Sequence, residues 1–83
     1  MAEQFAMPAF GIAMTTGVIL EWMVDEGEQF QEGEALVRVG TDKAEVDVPA
    51  PFSGVLVRHL VSEEAEVPVG EPIASLERTP PDR

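Results

Sequence analysis

The stretch that decides the fold is Val37-Arg38-Val39-Gly40-Thr41-Asp42-Lys43-Ala44-Glu45-Val46-Asp47-Val48-Pro49. Apolar and polar residues alternate on both sides of its centre, and a period of two is typical of a β-strand with one buried face. Thr41 and Asp42 separate the two alternating runs, and both residue types bond readily to the backbone of a turn. The stretch therefore predicts a β-hairpin whose tip holds Lys43, the only lysine in the chain, out in water.

The composition fits one small domain and argues against several classes of function. The 83 residues include no cysteine and one histidine, which argues against disulfides and against a zinc site. No apolar run is long enough to cross a bilayer, and the first residues lack the pattern of a signal peptide. We therefore expect a protein of the bacterial cytoplasm with no membrane partner, and a monomer when isolated.

The charge is strongly acidic. Sixteen acidic residues against five basic ones give a formal net charge of −11. Phosphate contacts need clustered Lys and Arg, so a nucleic-acid partner is disfavoured. An acidic surface serves solubility in many proteins, and recognition by a basic partner stays open as the alternative.

An internal repeat organises the chain. A shift of 37 positions (54 − 17 = 37) places Gly17-Val18-Ile19-Leu20 on Gly54-Val55-Leu56-Val57 without a gap. The same shift sets residues 4–16 against 41–53, so we expect the two copies to span residues 4–77. Two copies are too few for a solenoid, which indicates one domain whose halves are related by an approximate two-fold axis. Chance similarity between two Val-, Gly- and Glu-rich segments is the alternative.

Short strands are expected throughout, because no window shows helical spacing and seven Gly and seven Pro interrupt the chain. We predict strands over residues 17–24, 35–39, 54–61 and 72–76, with a short edge strand that includes Pro68. Alternation fails between Ile19 and Trp22 and again between Leu36 and Val39, which predicts a β-bulge at these places. The fold class is all-β, a sandwich or barrel.

The chemistry open to Lys43 is limited by its neighbours. A Schiff-base lysine needs a lowered pKa, whereas Asp42, Glu45 and Asp47 favour the charged amine. A rigid turn with one exposed lysine suits covalent attachment of a carrier group, and an ordinary solvated hairpin tip is the alternative. We expect His59 to be a structural strand residue, and the pattern contains no candidate catalytic or metal site.

Many residues together resemble one family, the lipoyl domains of 2-oxo acid dehydrogenase complexes. The similarity covers residues 4–77, with a carrier domain expected over residues 1–77 and a Pro-rich linker or tail over residues 78–83. It implies a flattened β-barrel of two four-stranded antiparallel sheets with quasi-two-fold symmetry. The residues that carry it are Met7-Pro8, Gly11, Met14-Thr15, Gly17, Ile19, Trp22, Val24, Gly27, Gly33, Leu36, Thr41-Asp42-Lys43-Ala44, Ala50-Pro51, Gly54, Val69-Gly70 and Ile73-Ala74.

The resemblance also implies a function that is not itself catalytic. Lipoic acid would be joined by an amide to Lys43, flanked by Asp42 and Ala44, through a lipoate ligase or lipoyl transferase. The arm would be reductively acylated by a thiamine-dependent 2-oxo acid decarboxylase, deliver the acyl group to coenzyme A at an acyltransferase core, and be reoxidised by a dihydrolipoyl dehydrogenase. The residues expected to meet the decarboxylase are Gly11, Met14, Thr15, Thr16, Glu45 and Asp47.

Three positions depart from the family pattern, and two alternatives remain. Gly40 and Thr16 stand where the family often has glutamate, and Glu64 stands where a turn glycine is usual. A biotin carrier is similar in fold but has methionine on both sides of its lysine. A lipoyl-like adaptor would keep the fold without the modification. The loop Met14-Thr15-Thr16-Gly17 and the position of Trp22 resemble the systems for pyruvate, branched-chain acids or acetoin more than the others.

Overall fold

In the part of the chain that the structure describes, eight short β-strands form two sheets. The protein is described by a computed structural model over residues 2–9, 15–41 and 44–79. The strands are β1 Ala2–Ala6, β2 Thr16–Trp22, β3 Gln29–Phe30, β4 Ala35–Gly40, β5 Glu45–Pro49, β6 Gly54–His59, β7 Glu66–Pro68 and β8 Pro72–Arg78.

All strand pairs are antiparallel. One sheet has the order β1-β8-β6-β3 and the other β5-β4-β2-β7. Two four-stranded antiparallel sheets confirm the predicted fold class. Within the described ranges the chain has no helix that could span a membrane.

The core divides into two clusters that are themselves related by the repeat. One contains Ile19, Val37 and Val39, and the other contains their repeat partners Leu56, Ala74 and Leu76. Inward-facing apolar residues from both sheets fill the space between them, which is how alternation along a strand becomes a buried layer. Among the described residues, no buried side chain is polar or charged.

The turns repeat as faithfully as the strands. Gly27 donates its backbone N–H to the carbonyl of Leu56, and Glu64, 37 residues later (64 − 27 = 37), donates to the carbonyl of Ile19. Gly27 has a φ of 88° and Glu64 a φ of 74°. The predicted equivalence of these two turns is therefore confirmed, and Glu64 adopts a backbone conformation that favours glycine.

Bulges occur where the alternation fails. The pairing of β2 with β4 shifts between Ile19 and Glu21, and the pairing of β6 with β8 shifts between Leu56 and Arg58. The two shifts again lie 37 positions apart (56 − 19 = 37). A β-bulge adds one residue to one strand and thereby turns the following side chains to the other face.

The axis of the two-fold passes between two aromatic rings. Trp22 and its repeat partner His59 stack with ring centroids 4.1 Å apart and planes inclined by 16°. The Trp22 Nε1 donates to the carbonyl of Val61 at 3.2 Å, while His59 Nε2 lies 2.9 Å from the carbonyl of Val24. His59 is thus a structural strand residue, as expected.

One part of the predicted repeat is wrong. The register pairs Ala2 with Glu77 in one sheet and Glu45 with Gly40 in the other. Strand β1 is therefore equivalent to β5 with an offset of 43 positions (45 − 2 = 43), so residues 4–6 correspond to residues 47–49 and not to residues 41–43. Met7 and Gly17 are separated by six more residues than Ala50 and Gly54, which are the equivalent pair in the second half.

Three strand ends differ from the predictions by two residues each. Strand β2 ends at Trp22 and β6 at His59, earlier than residues 24 and 61, because the bulges bend both strands out of the ladder. Strand β8 continues to Arg78, beyond residue 76 and into the segment predicted as a tail. Arg78 pairs with Gly54, and its guanidinium lies against the Phe52 ring and the Glu3 carboxylate.

Candidate functional site

A clamp of hydrogen bonds closes the turn between β4 and β5. Thr41 donates its N–H to the carbonyl of Ala44 at 2.8 Å, and its Oγ1 donates to the same carbonyl at 2.9 Å. The Ala44 N–H donates back to Thr41 Oγ1 at 3.2 Å. Residues 41–44, called here the tip turn, are thus held at both ends. Asp42 and Lys43 lie outside the described residues and are joined to this clamp by the chain.

The acidic residues beyond the tip turn have different surroundings. Glu45 is exposed at the start of β5. Asp47 is occupied by an ion pair, with Arg38 Nε 3.1 Å from its Oδ1. The hydrogen bond and charge of Asp47 raise the pKa of Arg38 above its ordinary value, with smaller contributions from Glu21 and Glu45. Of the two predicted acidic recognition residues, Glu45 thus stands beside the tip turn and Asp47 is engaged with Arg38.

A row of four residues crosses the outer face of the sheet next to the tip turn. The register places Glu45 beside Gly40, Gly40 beside Val18, and Val18 beside Glu66. Thr16, at the start of β2, donates its Oγ1 to Glu66 Oε2 at 3.0 Å. The row is therefore apolar in its middle and carries a carboxylate at each end.

An open groove follows this row up to the tip turn. Its volume is about 490 Å³. A Cβ on Gly40 would lie 3.1 Å from Leu20 Cδ1, so the Leu20 side chain lies over the glycine. The residues that line this tip groove are Thr16, Gly17, Val18, Leu20, Gly40, Thr41, Ala44, Glu45 and Glu66.

The predicted site residues divide into three groups. Thr16, Ala44 and Glu45 line the tip groove together. Thr15 is exposed and accepts the Val69 N–H at 2.9 Å through its carbonyl. Gly11, Met14, Asp42 and Lys43 lie outside the described residues.

Sequence reasoning missed Val18, Leu20 and Glu66 as parts of the site. A signal for the first two existed, since three apolar residues run in succession at Val18-Ile19-Leu20 where a half-buried strand alternates. Glu66 could not be found in this way, because its place depends on the pairing of β7 with β2.

The sequence pattern and the two four-stranded sheets match those of one family of small all-β domains. Residues 3–76 match the family profile described as "Biotin-requiring enzyme", Biotin_lipoyl. The chain belongs to this family.

Its curated relatives are much longer proteins. The chain is 39% identical over 75 residues to the dihydrolipoyllysine-residue acetyltransferase component of the pyruvate dehydrogenase complex of Mycobacterium bovis, a match covering 90% of this chain and 14% of the relative. It is 41% identical over 77 residues to the chloroplastic dihydrolipoyllysine-residue acetyltransferase component 5 of the pyruvate dehydrogenase complex of Arabidopsis thaliana. That match covers 93% of this chain and 17% of the relative.

A solved structure agrees over nearly its full length. The solution structure of the lipoyl domain of the 2-oxoglutarate dehydrogenase complex from Azotobacter vinelandii superposes with a TM-score of 0.74 at 27% identity. The match covers 90% of this chain and 95% of that one. The chain is thus similar to a lipoyl domain in sequence pattern, sheet arrangement and size.

Proposed function

We propose that this domain carries lipoic acid in amide linkage to Lys43 and serves a 2-oxo acid dehydrogenase complex of the pyruvate type. The observation that carries the proposal is the clamped tip turn, in which Thr41 and Ala44 fix the ends of a hairpin tip that contains the only lysine. The relatives named above support pyruvate as the 2-oxo acid.

The residues of the tip turn fit a lipoyl attachment site. A ligase needs an amine that stands clear of the core, and Ala44 and Glu45, which follow Lys43, are both exposed. Lipoate would supply a dithiolane ring that accepts an acyl group together with two electrons and passes it on to coenzyme A. The protein would supply a fixed starting point for the arm, and a domain that presents it at high effective concentration.

The partners follow from this role. A thiamine-dependent 2-oxo acid decarboxylase would load the arm, an acyltransferase core would unload it, and a dihydrolipoyl dehydrogenase would restore the ring. A lipoate ligase or lipoyl transferase would attach it. The groove at Thr16, Ala44 and Glu45 supports the decarboxylase as the partner that meets the tip face, because these residues surround the attachment turn.

The change Lys43→Gln tests the proposal. Glutamine keeps a polar side chain on a solvated tip, so we expect a change in the free energy of unfolding within about 0.5 kcal/mol. Wild type incubated with lipoate and lipoate ligase gains one lipoyl mass, mapped to the peptide that contains Lys43, whereas the variant gains none and cannot be reductively acylated. Intact mass and peptide mapping measure both results.

Biotin separates this proposal from its nearest alternative. Biotin ligase is expected to modify the wild type little, because Asp42 and Ala44 flank the lysine where biotin carriers have methionine. Efficient biotinylation without lipoylation would show a biotin carrier. If neither competent ligase modifies the wild type, the domain is a lipoyl-like adaptor that keeps the fold without the modification.

A further inference from the structure

The outer face of β2 is apolar beside the tip turn, where the solvent side of an antiparallel sheet is ordinarily polar. Val18 and Leu20 are half-buried and alternate with Gly17 and Ile19, which are buried. Their side chains therefore point away from the core. Together with Gly40 they form an apolar strip on the surface between the carboxylates of Glu45 and Glu66.

The two-fold symmetry provides a second copy of this surface for comparison. In the other sheet, Ala2 pairs with Glu77, Glu77 with Val55, and Val55 with Gln29. These are the repeat partners of Glu45, Gly40, Val18 and Glu66, in that order. Glu77 thus occupies the position equivalent to Gly40, and of the two rows only the one beside the tip turn lacks a side chain there.

We propose that the tip groove is a docking site for the lipoyl arm itself, with the methylene chain lying against Val18 and against the Leu20 side chain that covers Gly40. This inference rests on the proposed function. The arm starts at the edge of the groove, because Thr41 and Ala44, the neighbours of the two-residue segment that holds Lys43, both line it. Amide formation removes the lysine charge, so the arm is a neutral, apolar chain, and the strip is apolar.

The docked state is weak. Covering one or two methylene groups favours it by roughly four- to fifteenfold over the free arm, at the usual free energy per buried methylene. The arm would therefore rest on the domain most of the time and leave it readily. A partner that covers the tip groove would release the arm, so binding of the partner and delivery of the ring would be coupled.

Contacts between the arm and the strip are the direct test. In the lipoylated domain, confirmed by intact mass, we expect nuclear Overhauser effects between the lipoyl methylene protons and the methyl groups of Val18 and Leu20. The change Gly40→Glu introduces the side chain present at the equivalent Glu77 and places a carboxylate in the apolar strip. The three atoms nearest to its Cβ all belong to the Leu20 side chain, at 3.1–3.3 Å, so Leu20 must shift, and we expect the Overhauser effects to be lost.

A matched pair of variants provides the control. Leu20→Ser removes the apolar floor of the tip groove, and Val57→Ser makes the same kind of change at the repeat partner of Leu20, which is exposed. A water-soluble phosphine reduces the ring by breaking its S–S bond, leaving two thiols, while the phosphine takes oxygen from water. We expect reduction to be about fourfold faster in Leu20→Ser and Gly40→Glu than in wild type, the factor for one exposed methylene, and unchanged in Val57→Ser.

The outcomes distinguish a failure of the docking site from a failure of the proposed carrier function. A wild type that is lipoylated but shows no contacts with Val18 or Leu20 overturns the docking site and leaves the carrier function standing. So does a Gly40→Glu domain that keeps the contacts and the wild-type reduction rate but loses acylation by the decarboxylase, because the groove would then bind a side chain of the partner. A wild type without any lipoyl mass overturns both. If Gly40→Glu fails to fold, Leu20→Ser alone decides.

Discussion

Glu64 holds a backbone conformation that its side chain disfavours. Its φ of 74° lies in the left-handed region, where a Cβ comes close to the following carbonyl. The equivalent Gly27 adopts a φ of 88° without that cost, and the hydrogen bond from Glu64 to Ile19 keeps the turn in this form. A single residue therefore stores strain that its repeat partner does not.

The change Glu64→Gly is expected to raise the free energy of unfolding by about 1 kcal/mol, since strained backbone positions cost on that order. Chemical denaturation followed by tryptophan fluorescence measures it, because Trp22 is the only tryptophan. The reverse change Gly27→Ala is the control. Nothing lies within 4 Å of the Cβ it would add, so any loss of stability arises from the backbone alone. If the Glu64→Gly variant is no more stable than wild type, the backbone conformation of Glu64 does not destabilise the fold.

The strain was predictable from the sequence, whereas the ring stack was not. An alignment of two turns shows that a glutamate stands for a glycine, and glycine in such a turn signals a positive φ. The contact of Trp22 with His59 exists only because the axis passes between them. A repeat shows that two halves are alike, but it does not show which residues lie on the axis.

At the scale of elements, the connections between strands are where the two halves differ. Pro8 is equivalent to Pro51, while Thr15 and Thr16 are equivalent to Phe52 and Ser53. The first connection therefore holds residues 9–14 in addition. The matching hydrogen bonds of Met7 to Glu71 and of Ala50 to Glu34 show that both connections start from the same point.

Deletion of residues 9–14 is expected to leave the fold intact. The second half closes the same span without them, and halving a loop alters its closure free energy by only about 0.6 kcal/mol. We expect a domain that melts within a few degrees of wild type and still accepts lipoate, but whose reductive acylation by the decarboxylase is lost with Gly11 and Met14. Deletion of an equal length from β4 is the control that abolishes folding. Loss of folding on deleting 9–14 would show that the segment is structural.

The sequence predicted most of the elements, but it predicted a single offset where the two halves are related by two. Gly and apolar residues of β2 to β4 align with those of β6 to β8 because turns and bulges demand particular residue types. Strands β1 and β5 share only a pairing position, and alternation is too general to fix an offset. The equivalence of Met7-Pro8 with Ala50-Pro51 was the one visible clue. The order of strands in each sheet could not be predicted, because alternation does not specify a neighbour.

At the scale of the whole molecule, the net charge is the feature that we expect to govern encounters with the proposed partners. The net charge is −11, and an amide at Lys43 would make it −12 (−11 − 1). A basic entrance on the decarboxylase would be steered toward the tip turn, over a range of about 8 Å at physiological ionic strength.

The second-order rate of reductive acylation is expected to fall by about tenfold from low to high salt, the lower end of what steering adds to an association rate. Glu45→Gln, beside the tip turn, is expected to weaken this dependence more than Glu77→Gln, which lies on the other side of the axis. Rates measured with varied sodium chloride test both changes. A flat profile would exclude steering, and equal effects of the two variants would show that only the total charge acts.

The pairing of Ala2 with Glu77 has a mechanical consequence. A force that separates Ala2 from Arg78 acts across the β1–β8 ladder, whose antiparallel hydrogen bonds are perpendicular to the strands, and opens them one pair at a time. The contacts of Arg78 with Glu3 and Phe52 lie at the end of the ladder where the force is applied, so they would break first. The tip turn belongs to the other sheet, so the domain would peel from the end that is pulled while the hairpin that bears the lysine stayed closed.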